Sequence, residues 1–237
     1  TITFDIVPVN DEPVAGDDTG FTGQQGVPLV LRIADLMAND EDVEGTDLSF
    51  AGVLQSSVGT VEIWQDAFIV VHLPADFTGP LVLDYLVSDG ELLDSARVRA
   101  EILPGYDGLI TGSDRVDFLP GTAAGERIVG LAGNDTIRAE AGDDTIDGGF
   151  GADVIFGGDG FDTIDFGASA SGVRASLASR IGQGGDAAGD EYFGIEALLG
   201  STFGDTLDGG LGDNLLDGRA GDDRLSGGAG ADTLIGA

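Results

Sequence analysis

Aspartates stand at a fixed interval through the second half of this 237-residue sequence. Each occupies the sixth place of a nine-residue unit that opens on glycine and carries a large apolar residue at its eighth place, as in GGAGADTLI at 227–235. The unit repeats in phase as GRAGDDRLS (218–226), GGLGDNLLD (209–217) and GSTFGDTLD (200–208). Before a gap it runs as GGDGFDTID (157–165), GGFGADVIF (148–156), AEAGDDTID (139–147) and GLAGNDTIR (130–138). Two worn copies, GTAAGERIV (121–129) and GSDRVDFLP (112–120), extend the series. Carboxylates on glycine-rich loops offer oxygen without nitrogen or sulfur, a set that selects a hard cation, calcium before zinc or copper. The glycines serve the same end, because loops that aim backbone oxygens at one centre need conformations closed to residues with a Cβ.

Composition narrows the classes. There are 43 acids against 10 bases, a formal net charge of −33, and no cysteine. A chain this acidic does not neutralise nucleic-acid phosphates and is repelled by anionic membranes. No stretch approaches the roughly 20 apolar residues of a membrane span. The acids recur at fixed offsets among glycine, isoleucine and leucine, which points to an ordered metal-binding array and not to disorder. No catalytic set is visible, so no enzyme is expected. The one histidine, His72, lies in an apolar strand and reads as structural. There is no serine elbow, no H-E-x-x-H and no lysine in a phosphate loop. Both ends read as cut from a larger polypeptide.

The elements that must carry these groups fall into two parts. Residues 1–9 read as the end strand of a preceding module, and 10–102 as an all-β domain. Strands are expected at Val27–Ile33, Val58–Trp64, Ala67–Leu73, Leu81–Val87 and Arg97–Ile102, with a tight hairpin at Gln65-Asp66 and a helical turn near Ala34–Ala38. Closely spaced strands with turn-rich links suggest a β-sandwich. Within it, Asp40, Asp42 and Glu44 alternate before Gly45, which imitates the start of a calcium loop. Ala51 stands where an EF-hand needs glutamate, so an EF-hand is rejected. Asp11, beside Pro13 in a polar hinge, is a further candidate ligand. Residues 103–111 form a linker.

Two resemblances follow. Val9-Asn10-Asp11-Glu12-Pro13, Leu36-Met37-Ala38-Asn39-Asp40-Glu41-Asp42, Phe77-Thr78-Gly79 and Asp84-Tyr85-Leu86-Val87-Ser88-Asp89-Gly90 together resemble a cadherin-like repeat of large bacterial surface proteins. The nonamers resemble the calcium-binding RTX repeat, a parallel β-helix. These resemblances imply an all-β chain, a cadherin/Ig-like β-sandwich followed by a right-handed parallel β-roll over 112–237, interrupted by an insertion at 166–199. The insertion is expected to widen the roll or fold over it as a hairpin. In this family two nonamers make one turn, so Asp117 and Asp135, Asp135 and Asp153, Asp144 and Asp162, Asp205 and Asp223, and Asn214 and Asp232 should stack. With them, the backbone oxygens of Gly130, Ala132, Gly148, Phe150, Gly157, Asp159, Gly218, Ala220, Gly227 and Ala229 are candidate calcium ligands. Asp186, Asp190 and Glu191 of the insertion read either as another ion site or as a plain surface loop. Ile128, Ile137, Ile146, Ile155, Ile164, Leu207, Leu216, Leu225 and Leu234 should form the core. One buried side chain per nine ordered residues leaves folding unfavourable without metal, so calcium should fold this half.

The function expected is a calcium-binding structural and adhesive segment of a large secreted or cell-surface protein, its folding coupled to type I secretion. The alternatives are the noncatalytic calcium-binding region of a secreted enzyme or toxin, and a surface-layer protein. The partners implied are several calcium ions and neighbouring repeats of the same polypeptide. No nucleic acid and no direct membrane insertion are expected.

Overall fold

The computed structural model describes residues 9–105 and 108–236. The terminal strand expected over 1–9 lies outside the described residues, apart from Val9. The chain divides into two compact units between Gly105 and Tyr106.

Among the described residues the first unit has seven strands: β1 (Asp18–Gln24), β2 (Leu29–Arg32), β3 (Ser49–Ser56), β4 (Thr60–Trp64), β5 (Phe68–His72), β6 (Gly79–Ser88) and β7 (Leu93–Leu103). They form one sheet in the order β1-β7-β6-β3 and another in the order β2-β5-β4. The β4–β5 hairpin turns on Gln65 and Asp66, both left-handed at φ 48° and 55°. That pair of positive φ values gives the turn whose twist matches its flanking strands. In β7 the alternation is strict: Val98, Ala100 and Ile102 are buried while Arg97, Arg99 and Glu101 are exposed. With Leu81, Leu83, Tyr85 and Val87 of β6 they form the core between the sheets. The helical turn falls at Ile33–Leu36, followed by a 3-10 turn at Met37–Asn39. His72 is exposed at the end of β5, its Nε2 3.3 Å from Glu62 Oε2.

The second unit is a parallel β-roll of short strands, most of them three residues long and two, Phe118–Thr122 and Thr136–Glu140, of five. Thr145–Asp147 pairs in register with Arg127–Val129 on one side and with Thr163–Asp165 on the other. Val154–Phe156 pairs with Thr136–Arg138 in the opposite sheet. Each strand therefore lies 18 residues from its neighbour, and successive nonamers alternate between sheets. The eighth-place residues point inward: Ile128, Ile137, Ile146, Ile155, Ile164, Leu207 and Leu216 have no exposed surface. Leu225 is half-buried and Leu234 is 48% exposed. These two lie on the end strands of the two described sheets, and they are less buried there than the repeat pattern predicted. Leu109–Thr111 already pairs with Arg127–Val129, so the roll begins inside the stretch read as a linker.

The insertion widens one sheet only. Arg174–Ser176 pairs antiparallel with Ile181–Gln183, and the latter meets Glu191–Phe193 antiparallel at Ile181–Glu191. Glu191–Phe193 then docks parallel on Val154–Phe156. In the other sheet Thr163–Asp165 pairs directly with Ala197–Leu199, as though nothing had been inserted. Stacked rings of Phe156 and Phe193, 4.8 Å apart, and Tyr192 beneath Phe166 fix the re-entry.

Candidate metal centre

The stacked sixth-place carboxylates divide their labour between two oxygens. The N–H of Asp135 donates to Asp153 Oδ1 at 2.8 Å, that of Asp144 to Asp162 Oδ1 at 3.0 Å, and that of Asp205 to Asp223 Oδ1 at 2.9 Å. Asp117 to Asp135 and Asn214 to Asp232 repeat the bond at 2.8 and 3.0 Å. Every pair predicted to stack does so. The second oxygen, Oδ2, of Asp144, Asp153, Asp162 and Asp223 is buried with no hydrogen-bond partner. A buried carboxylate oxygen left without a partner is costly. Burial first, and neighbouring carboxylates second, push Asp144 up to about 6 and Asp153 up to about 7. These oxygens face backbone. A methyl group built on Gly148 would lie 2.6 Å from Asp153 Oδ2, and one on Gly130 would lie 2.7 Å from Asp135 Oδ2 and 2.3 Å from Gly148 O. The first-place glycine is therefore needed for contact, not for φ. Ala139 alone carries a Cβ at that place.

Left-handed backbone belongs instead to places two and four. Leu131, Glu140, Gly149, Gly158, Arg219 and Gly228 at place two have φ between 58° and 112°. Gly133, Gly142, Gly151, Gly160, Gly221 and Gly230 at place four have φ between 116° and 150°. Leu131, Glu140 and Arg219 hold this conformation despite a Cβ, at a cost of about 1–3 kcal/mol each. We call these six loops open. Their third-place residues stack as parallel bridges, Ala132 on Phe150 and Ala141 on Asp159. The carbonyls of Phe150 and Asp159 there accept from Gly133 and Gly142 N–H, each at 2.8 Å.

Four loops are built differently. In those opening at Gly112, Gly121, Gly200 and Gly209 no residue at place two or four has positive φ. The second-place N–H then turns onto the sixth-place side chain: Ser113 onto Asp117 Oδ2 at 2.6 Å, Thr122 onto Glu126 Oε2 at 3.0 Å, Ser201 onto Asp205 Oδ2 at 2.7 Å, and Gly210 onto Asn214 Oδ1 at 2.7 Å. The hydroxyls of Ser113, Thr122 and Ser201 reach the same carboxylates. These closed loops form the first turn of each nonamer block. Their acids already have donors, which sets Asp117, Asp205 and Asn214 apart from the other stacked side chains.

Position five carries a second ladder that the sequence did not reveal. Asn134, Asp143 and Asp213 Oδ1 accept the N–H of Ala152, Phe161 and Ala231, 18 residues on, at 3.0, 2.9 and 2.7 Å. It runs opposite to the place-six ladder, so successive turns are tied in both directions. In the insertion, Asp190 is buried; its Oδ1 accepts from Asp153 N–H at 2.9 Å and its Oδ2 from Tyr192 hydroxyl at 3.1 Å. Asp186 is buried beside Ser169, whose Oγ accepts its N–H at 3.1 Å, and Glu191 is exposed.

In the sandwich, the 40–47 loop docks on residues 14–16. Val14 and Glu41 exchange backbone bonds of 2.8 and 3.0 Å, and Gly16 N–H donates to Asp40 Oδ1 at 2.8 Å. Asp42 Oδ1 caps the turn by accepting from Glu44 and Thr46 N–H, each at 3.0 Å. Asp40 Oδ2 and Asp42 Oδ2 are buried with no hydrogen-bond partner. Burial raises Asp40 and the neighbouring Asp18, whose Oδ2 accepts from Tyr85 hydroxyl at 2.9 Å. Asp11 and Glu44 are exposed.

Among the described residues no three Asp, Glu or His side chains gather into one cluster. The buried, partnerless Oδ2 atoms, which lie beside first-place glycines at Asp153, Asp162 and Asp223, suit a hard, oxygen-seeking cation. The fold and this geometry define an all-β calcium-binding protein. Residues 9–102 match the cadherin-like domain, and residues 120–155, 129–164 and 199–234 match the four-copy RTX calcium-binding nonapeptide repeat. Among curated proteins no match is found. The chain thus joins a cadherin-like domain to calcium-binding RTX repeats.

Proposed function

We propose that this segment is a noncatalytic, structural and adhesive part of a secreted or cell-surface protein, and that calcium folds its roll after export. The observation that carries the reading is the set of buried Oδ2 atoms without donors, on the stacked pair Asp144 and Asp162 in one row and on Asp153 in the other. With a net charge of −33, the calcium-free chain resists compaction through its own repulsion. Bound calcium supplies the positive charge that these oxygens lack. Asp144, Asp153, Asp162 and Asp223, with the first-place and third-place backbone oxygens of the open loops, would hold it. Asp40 and Asp42 would hold calcium in the sandwich. Low calcium inside a cell then keeps the roll extended for passage through a type I channel, and millimolar calcium outside folds it. The cadherin-like domain supports the adhesive role.

Far-UV circular dichroism and hydrogen exchange on the whole chain test the reading. Residues 130–165 should gain amide protection on adding calcium to a calcium-free sample. Equal protection in both states refutes calcium-driven folding. The sequence preceding this segment in its parent polypeptide tests adhesion: further sandwich repeats support it, whereas a hydrolase or pore-forming domain refutes it.

A further inference from the structure

The gap in the nonamer series is where both carboxylate rows should break. The row through Glu126, Asp144 and Asp162 continues across it. Asp162 N–H donates to Glu196 Oε2 at 2.9 Å, 34 residues on, in place of a carboxylate 18 residues on. Gly157 N–H donates to Phe193 O at 2.9 Å, as Gly130 N–H donates to Asp147 O at 2.8 Å. A methyl group built on Gly157 would lie 2.1 Å from Gly194 O and 2.5 Å from Asp162 Oδ2. The same construction on Gly130 finds Gly148 O at 2.3 Å and Asp135 Oδ2 at 2.7 Å. Gly194 O therefore stands where a first-place carbonyl stands in an ordinary turn. Beyond the insertion the row resumes, with Leu215 N–H and Asn214 Nδ2 donating to Glu196 O at 3.0 and 3.2 Å.

The parallel row is finished differently. There Asp190 meets Asp153 N–H, but Tyr192 hydroxyl takes its other oxygen. No such donor reaches Asp162 Oδ2, which is buried without a hydrogen-bond partner on a side chain with no exposed surface. We propose that Asp162 and Glu196, with the Gly194 carbonyl, form a calcium site that spans the insertion, in which Asp162 closes a stretch matching the nonapeptide repeat while Gly194 and Glu196 lie outside every matched stretch. The site rests on the calcium reading of the roll and adds to it an ion whose second carboxylate comes from a sequence with no nonamer.

Equilibrium dialysis of the whole chain counts bound calcium. Glu196→Gln keeps an oxygen for Asp162 N–H and loses the charge. It should bind one ion fewer at the calcium concentration that saturates the unaltered chain. Glu191→Gln, an exposed acid in the same insertion, should bind the full number. Circular dichroism at saturating calcium separates a lost site from a lost fold. Asp162→Asn reaches the same site from the other side and keeps the test decisive if Glu196→Gln misfolds; it too should lose at least one ion. An unchanged count in either folded variant, or an equal loss in Glu191→Gln, overturns the site. A chain that binds no calcium at all refutes the reading of the whole roll instead.

Discussion

Asp153 sits one turn beyond Asp135 and accepts its N–H through Oδ1 at 2.8 Å, while Oδ2 of the same carboxylate is buried without a partner. One oxygen joins turns and the other is left for a cation. Asp153→Asn preserves the first role and removes the charge from the second. Calorimetric titration should show calcium binding at this turn weakened about tenfold or more, equivalent to about 1.4 kcal/mol. Strand content at saturating calcium should stay as in the unaltered chain.

Ser201→Ala tests the closed loops. The hydroxyl bonds Asp205 Oδ1 at 2.9 Å, and Asp205 is buried. Its loss should cost about 1–3 kcal/mol and lower the melting temperature both with and without calcium. The number of calcium ions bound should not change. A cost seen only in the presence of calcium would place Asp205 among the ligands.

Gly151→Ala tests the open loops. Gly151 has φ 150°, and a Cβ there would lie 1.5 Å from Gly133 O. Backbone cannot yield as a flexible side chain does, so the substitution should remove the turn. Calcium titration followed by circular dichroism should show a smaller folding amplitude. The same change at Gly212, with nothing within 4 Å of its added Cβ, should be tolerated.

Protons should partly replace calcium. Asp144 and Asp153, raised by burial to about 6 and about 7, start from 3.8 in the unfolded chain. The folded, calcium-free roll therefore binds more protons than the unfolded chain between those values. This contribution to stability is full below about 3.8 and is lost as pH rises through 6 to 7. Calcium-free circular dichroism should show more strand at pH 5 than at pH 7.5. Calcium affinity should move the other way, because ligand carboxylates must shed their protons.

Much of the roll was legible in the sequence because its stacking is strictly periodic: an aspartate and an isoleucine every nine residues place Asp144 over Asp162 and Ile146 beside Ile164. In the sandwich, β7 was legible from its alternation, whereas β1 and β3 were not. Asp18–Gln24 carries two glycines and one large apolar residue, and β3 shifts register between Phe50 and Gly52 and again between Val53 and Gln55. The split between open and closed loops turns on the φ of the second residue, which Gly210 and Gly228 share as a residue type and not as a conformation. Glu196 had one faint signal, its place 18 residues before Asn214. The antiparallel strands around it masked that signal, since 34 residues separate it from Asp162.

The closed turns head both nonamer blocks, at 112–129 and at 200–217. A single nonamer moved to a new location would lack a donor-supplied turn to stack upon, and a copied open turn would have to borrow one. Within this chain each block opens on turns whose acids are supplied with donors by the chain itself, and the nonamer sets only the period of the turns that follow.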